Sequence, residues 1–276
     1  MIVAPLGSGS AGNAYYFEDE GTSILIDAGL GPRETKKRLE AVGQRFEELQ
    51  AIVLTHEHYD HIRGAESIAR KLGIPIYLTR GTLDASSIDP AETKTVVFEN
   101  NSAFRIGNLE VHAQRTIHDA ADPACFVVQA GDGTRVGLAS DLGYVDPAVL
   151  RHLQKCDGLL FEANHDVDML RLGTYPWSLK RRILSRFGHL SNDDSIRARQ
   201  RMIGAETKNL CLIHLSEKNN LESIVRTMAT RLITGLGAPI DLEIAQQSTP
   251  AAVLRVWRRG GHPRQSGAAQ MPLFAL

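Results

Sequence analysis

Three histidines and two carboxylates fall within six consecutive positions, His56-Glu57-His58-Tyr59-Asp60-His61. Imidazole nitrogens and carboxylate oxygens bind borderline and hard divalent cations, and a set without thiolates suits zinc, manganese or iron. The apolar run Ala51-Ile52-Val53-Leu54 comes directly before and reads as a short buried strand. A strand that ends in such a cluster delivers its side chains to one spot at the end of a sheet. His56 and His58 are two apart, so they point the same way from an extended segment. Asp60 and His61 follow as the chain turns into a helix over residues 62–70. Two ligand pairs from one loop suit two metal ions held close together.

Other polar residues stand at the ends of apolar runs. His118 precedes a strand at 124–128, Asp141 ends one that begins at 135, Glu162 ends one at 158–162, and His214 follows one at 209–213. Asn164 and His165 come just after Glu162 and are candidates to line a pocket. Asp27 ends a strand at 23–26. It reads either as an acceptor that orients a ligand histidine or as a cap for the following turn. His189 sits just before a helix announced by Ser191 with Asp194 three residues on, a capping-box spacing. Backbone N–H groups at such a helix start attract anions.

The elements that position these residues alternate. Pro32 opens a helix to about Val42, and Gly43 stops it. Strands are expected at 74–78, 95–98 and 109–113, and residues 82–92 read as short-helical. Gly7-Ser8-Gly9-Ser10-Ala11-Gly12-Asn13 lacks the Lys-Ser/Thr ending of a phosphate loop and precedes a strand, so it reads as a hairpin connection bordering the site. Residues 175–186 carry a helical stripe of Leu179, Ile183 and Phe187, with Lys180, Arg181, Arg182 and Arg186 as a charged face. Trp177 and Tyr175 serve either core packing or base stacking. A helix over 221–232 follows. The whole is a mixed α/β chain with one domain over 1–257 and no internal repeat. Residues 258–276 form a Gly-, Pro- and Arg-rich tail expected to be flexible.

Composition narrows the classes. The 276 residues are 43% hydrophobic and 23% charged with a net charge of -1, so any nucleic-acid contact needs a local basic face. Cys125, Cys156 and Cys211 are far apart and set in apolar contexts, which predicts buried free thiols in a reducing compartment. No apolar run is long enough to span a membrane and residues 1–8 lack a charged leader, which predicts a soluble cytoplasmic protein.

The ordered set resembles the metallo-β-lactamase fold superfamily, whose motif is His-x-His-x-Asp-His followed by a distant His, an Asp and a final His. The resemblance covers about residues 6–220 and implies an αβ/βα four-layer sandwich. It implies that His56, His58 and His118 hold one metal, that Asp60, His61 and His214 hold the second, and that Asp141 bridges them. Pro5-Leu6-Gly7-Ser8-Gly9-Ser10-Ala11-Gly12-Asn13, Tyr175-Pro176-Trp177-Ser178-Leu179-Lys180-Arg181-Arg182 and Gly188-His189-Leu190-Ser191-Asn192 resemble the YycJ/WalJ-like family of DNA exonucleases. Tyr59 departs from the small residue commoner at its position, which alters the mouth of the site.

This resemblance implies a metal-dependent hydrolase with two divalent ions, zinc or manganese, that cuts DNA from 5′ ends in repair or replication. Asp60 would accept a proton, His189 would serve the scissile phosphate and leaving oxygen, and Glu162 would orient and charge His189, as a similar pair does in tRNA 3′-processing nucleases. Lys180, Arg181 and Arg182 would hold phosphates, and Asn164 and His165 would face substrate. A small-molecule hydrolase of cyclic phosphodiesters, thioesters or lactones is the alternative on the same scaffold. Gln270-Met271-Pro272-Leu273-Phe274 resembles the Gln-x-x-Leu-Phe peptide that binds the bacterial sliding clamp, or else packs on its own domain.

Overall fold

Alternation within each strand builds the architecture. The computed structural model describes residues 1–258, so the peptide at 270–274 and its clamp reading lie outside the described residues. The first sheet holds β1 (Ile2–Gly7), β2 (Ala14–Asp19), β3 (Thr22–Ile26), β4 (Ala51–Val53), β5 (Ile76–Thr79) and β6 (Thr95–Phe98). The second holds β7 (Ala103–Ile106), β8 (Leu109–Arg115), β9 (Ala124–Gln129), β10 (Arg135–Ala139), β11 (Gly158–Glu162), β12 (Asn209–Ile213) and β13 (Asp241–Ile244). A last strand, β14 (Leu254–Arg255), returns to the edge of the first sheet beside β1.

Tyr15, Phe17, Ile24, Ile26 and Val53 meet Phe126, Val128, Leu138, Cys211 and Ile213 between the sheets. Their strand neighbours Tyr16, Leu25 and Ile52 face outward with Leu39 and Ile68. On the far side Val127, Leu159, Phe161 and Leu212 pack with Val149, Ala198, Met202, Val225 and Ala229. Successive side chains of a strand point to opposite faces, so each strand feeds two cores. The helices are α1 (Pro32–Ala41), α2 (Tyr59–Ile62), α3 (Ala65–Leu72), α4 (Arg80–Ala85), α5 (Pro147–Leu153), α6 (Val167–Leu172), α7 (Trp177–Ile183), α8 (Asn192–Met202) and α9 (Glu222–Leu236). With α1 and α3 outside one sheet and α5, α8 and α9 outside the other, the layers run helix, sheet, sheet, helix, as expected.

The two sheets are wired alike. Each begins antiparallel (β1-β2-β3; β7-β8-β9-β10) and continues parallel (β3-β4-β5-β6; β10-β11-β12-β13). In such sheets ligands collect beyond the carboxyl ends of parallel strands. Asp27, Asp141 and His214 follow the ends of β3, β10 and β12, and each has a left-handed backbone, with φ of 58°, 56° and 58°. Few non-glycine residues adopt that conformation, and it clusters at functional sites.

Several expectations need correction. Strands β1 and β7 and helices α5 and α6 were not foreseen; β7 is an edge strand of four residues, too short for the alternation of Phe104 and Ile106 with exposed Ala103 and Arg105 to stand out. Helix α7 stops at Ile183, and Phe187 lies beyond it with 57% exposure rather than in an apolar stripe. Trp177 is 60% exposed, so core packing is not its role. Lys180 does not belong to the charged face: it is buried, and its ammonium donates to the carbonyls of Arg171 and Gly173, 2.7 Å each. The three cysteines are free and buried, and burial pushes the Cys156 thiol up to about 12.

Candidate metal centre

The loop after β4 enters extended and closes into α2, whose single turn carries Asp60 and His61. Residues 28–30 brace it: Ala28 N–H donates to His61 O at 2.7 Å, and a Cβ on Gly29 would stand 1.8 Å from Asp60 O. Only glycine permits that approach. From the hairpin between β1 and β2, Asn13 N–H donates to Asp60 O at 2.8 Å. Its side-chain amide lies 3.1 Å from His61 Nε2 and 3.4 Å from Asp60 Oδ2. The hairpin therefore borders the site.

Each of five histidines is tied at one ring nitrogen and turned inward at the other. His56 Nδ1 meets Thr55 Oγ1 at 2.9 Å, and His61 Nδ1 donates to Asp27 Oδ2 at 2.7 Å. His118 Nδ1 donates to Gly188 O at 3.0 Å, while His58 uses Nε2 toward Asp119 O at 3.2 Å. His214 Nδ1 lies 3.4 Å from Glu162 Oε1. An outer partner fixes the orientation of each ring and turns its inner nitrogen toward the centre, where it offers a lone pair to a bound cation. The buried carboxylate of Asp27 also accepts Thr55 N–H at 2.8 Å and the Thr55 hydroxyl at 2.9 Å. It therefore settles the ring of His61 directly and that of His56 through Thr55, and the orienting alternative for Asp27 is the one realised.

The inner atoms converge. His58 Nδ1 and His118 Nε2 are 3.3 Å apart. Both outer nitrogens donate, so two lone pairs face each other there, an arrangement that a cation between them resolves. Asp141 Oδ2 lies 3.2 Å from His61 Nε2, and its Oδ1 lies 3.5 Å from His214 Nε2 and 3.8 Å from His118 Nε2. Asp60 Oδ2 is 3.6 Å from His61 Nε2 and 3.7 Å from His214 Nε2. A tetrahedral shell with bonds of about 2.0–2.1 Å sets its donors about 3.4 Å apart. The buried atoms His56 Nε2, Asp141 Oδ2 and His214 Nε2 lack a hydrogen-bond partner. Groups able to hold an ion are His56/His58/His118, Asp60/His61/His214, His56/His61/Asp141 and Asp141/Glu162/His189/His214. The residues present fit divalent ions in donor type, spacing and orphaned atoms.

Charge sets the protonation of these groups. Burial pushes the Asp141 carboxyl up, but the His214 and His61 imidazoles outweigh it and hold the group well below the usual range. Conversely, burial pushes His214 down, and Asp141, Asp60 and Glu162 outweigh it, raising the ring to about 10.

Glu162, fully buried at the end of β11, is a hub. Its Oε1 accepts from His189 Nδ1 at 2.8 Å, and its Oε2 accepts Leu142 N–H at 2.7 Å. Burial raises its carboxyl, and the His189 and His214 imidazoles more than reverse that. The His189 ring lies 5.1 Å from His214 and 5.2 Å from His118, at the edge of the cluster. Ser191 Oγ caps α8 by accepting Asp194 N–H at 3.1 Å. Asn164 is buried and donates to His214 O at 2.9 Å, so it holds the His214 turn instead of facing substrate. His165 is also buried, only 2% exposed, with neither ring nitrogen partnered, and burial lowers it to about 4. It too is removed from any substrate surface. Arg182 Nε donates to Asp119 Oδ2 at the rim, and Arg181 is exposed on α7. Thr55, Asn13 and Asp119 were missed as site residues, although each adjoins a singled-out motif in sequence.

Three comparisons bear on this arrangement. A family model described as a beta-lactamase superfamily domain matches residues 22–215. The chain is similar to the exodeoxyribonuclease WalJ of Streptococcus pneumoniae, 36% identical over 256 residues that cover 90% of this chain and 94% of that protein. It is similar to the exodeoxyribonuclease YycJ of Bacillus anthracis, 33% identical with 90% and 96% covered. Among solved structures, the metallo-beta-lactamase fold protein YhfI of Bacillus subtilis superposes with a TM-score of 0.69 at 19% identity, covering 93% of this chain and 98% of that one. Likeness at that identity speaks to the fold alone.

Proposed function

The chain belongs to the beta-lactamase superfamily and, within it, to the family of the WalJ and YycJ proteins, and from that premise we propose that it is a metal-dependent DNA exonuclease. The observation that carries the reading is the joining of a full histidine–carboxylate ligand set to the His189–Glu162 pair in one centre. His56, His58 and His118 would hold one divalent ion, Asp60, His61 and His214 a second, with Asp141 between them; zinc or manganese suits the donors. Bound ions supply a nucleophile at neutral pH and neutralise charge on phosphoryl oxygens.

The protein's own groups do the rest. Asp60 takes up the proton released on attack. With Nδ1–H held by Glu162, His189 acts in its imidazolium form, offering Nε2–H to the scissile phosphate and passing that proton to the leaving oxygen. Arg181 and Arg182 hold neighbouring phosphates of the strand. We further propose a 5′-end preference, a place in DNA repair or replication in the cytoplasm, and clamp binding through residues 270–274. No helix among the described residues is long and apolar enough to cross a membrane.

The test is digestion of 5′- and 3′-labelled DNA with zinc, manganese or magnesium. Nucleotide release from the 5′ end is expected, falling steeply with salt. His189→Ala should keep its metal and lose about 100- to 10,000-fold in turnover. A His189→Ala protein with full metal content and full nuclease activity would overturn the assignment.

A further inference from the structure

Most aromatic side chains among the described residues are buried or half-buried. Among the described residues the exposed ones are Tyr59 at 70%, Tyr144 at 44%, Trp177 at 60% and Phe187 at 57%. All four stand on segments that build the site. Tyr59 lies between His58 and Asp60, Tyr144 three residues after Asp141, Phe187 two before His189, and Trp177 at the start of α7. Exposed aromatic surface of this size is unfavourable in water, and Tyr59, Tyr144 and Phe187 each lie within three residues of a candidate ligand or of His189.

Phe187 is the best placed. Its backbone is clamped from two sides: Asp119 N–H donates to Phe187 O at 3.1 Å, and the next carbonyl, that of Gly188, takes His118 Nδ1 at 3.0 Å. A Cβ on Gly143 would stand 2.6 Å from Phe187 Cα, so the turn after Asp141 closes on the same point. The ring itself joins none of the three cores. A rigid backbone beside a candidate metal ligand thus holds out an unpacked aromatic ring. Cations interleave with the rings. The Arg186 guanidinium lies 5.2 Å from the Tyr144 ring centre, Arg63 lies 5.6 Å from that of Tyr59, and Arg182 is held at the rim by Asp119.

We propose that Phe187 is a stacking platform for an unpaired base of the DNA strand, so the enzyme engages its substrate as a single-stranded or frayed end. Aromatic faces with interleaved cations suit such strands, because every base offers a π-face and every nucleotide a phosphate. Paired, stacked bases of an intact duplex end offer no free face. This inference rests on the DNA exonuclease reading and deepens it.

The test uses the metal-loaded full chain, with oligonucleotides as single strands, as duplexes with an unpaired end and as blunt duplexes. Stacking on one aromatic contributes enough that Phe187→Ala should raise KM on unpaired ends by about 5- to 150-fold, with metal content and kcat little changed. Phe187→Leu keeps the apolar bulk and should be nearly as defective, whereas Phe187→Trp should restore KM. A Phe187→Leu protein with the KM of the wild type would overturn the proposal and leave the nuclease reading standing. Wild-type protein that releases no nucleotides from any of the three DNAs would overturn both.

Discussion

Asp27→Asn isolates how the fold sets the metal centre. Asp27 is fully buried and accepts three donors: Thr55 N–H at 2.8 Å, the Thr55 hydroxyl at 2.9 Å and His61 Nδ1–H at 2.7 Å. Asparagine has the same shape but offers one acceptor oxygen and one NH2. If its oxygen keeps Thr55 N–H, the NH2 replaces Oδ2 against His61 Nδ1–H, and two donors face each other at 2.7 Å. His61 escapes by moving its proton to Nε2 or by turning, and either removes the lone pair aimed at Asp60, Asp141 and His214. Loss of such an outer partner costs about 10- to 100-fold in metal affinity, or about 1.4–2.7 kcal/mol. His56 feels the change only through Thr55, so its site should weaken by a few-fold at most. Zinc titration against a chromophoric chelator resolves the two sites. The expected result is one weakened affinity and one nearly retained. Two unchanged affinities, or equal losses at both sites, would refute the tautomer argument.

Other outcomes follow from single contacts. Lys180→Met leaves the Arg171 and Gly173 carbonyls without their buried donor and should cost about 1–3 kcal/mol in denaturant unfolding. Arg181→Ala should lower the dependence of log KM for DNA on log salt by about one counterion. Ser191→Ala removes the cap of α8 and should destabilise by about 1 kcal/mol in thermal unfolding. His152 is lowered from 6.5 to about 4, chiefly by burial, while its Nε2 donates to His112 O at 3.1 Å. Between those values the unfolded chain takes up a proton that the folded one refuses. Stability is therefore intact above pH 6.5 and lost as pH falls toward 4, at about 1.4 kcal/mol per pH unit. His152→Gln, followed by urea unfolding across that window, should flatten the decline.

The ligand residues were legible because their chemistry is written in residue type and their placement in period-2 apolar runs. Strands β11 and β12 begin and end where their apolar runs do, and Glu162 and His214 follow from that. Lys180 was misread for a physical reason: a long side chain on a basic helix looks solvated in sequence, and only the fold brings two free carbonyls of the segment before α7 within its reach. Asn164 and His165 look like pocket residues from their nearness to Glu162, yet an extended segment that pairs with Ser191 turns the chain inward there. Phe187 fits a helical period, but α7 ends one turn too early for it. Thr55 and Asp119 escaped because a partner that orients a ligand has no spacing of its own; it is recognised only once the ring it holds is in place.

The wiring of the two sheets gives these details a common cause. The first sheet and its loop supply His56, His58, Asp60 and His61, and the second supplies His118, Asp141 and His214. Each ion as proposed draws on both halves: His118 is needed beside His56 and His58, and His214 beside Asp60 and His61. Ions held as proposed would therefore span the seam between the sheets and stabilise the assembled fold over the unfolded chain, which has no preformed site. The same seam bears strained turns at Asp27, Asp141 and His214, each a left-handed residue at or just past a strand end. Such turns cost stability; donors from Thr55 and His61 compensate the one at Asp27, and a bound cation would compensate those at Asp141 and His214. Glu162 makes the coupling tighter, because one buried carboxylate touches His214, His189 and the backbone that follows Asp141. Changes to the proposed catalytic histidine and to the second ion's ligands should therefore not be additive, since they share the group that fixes both.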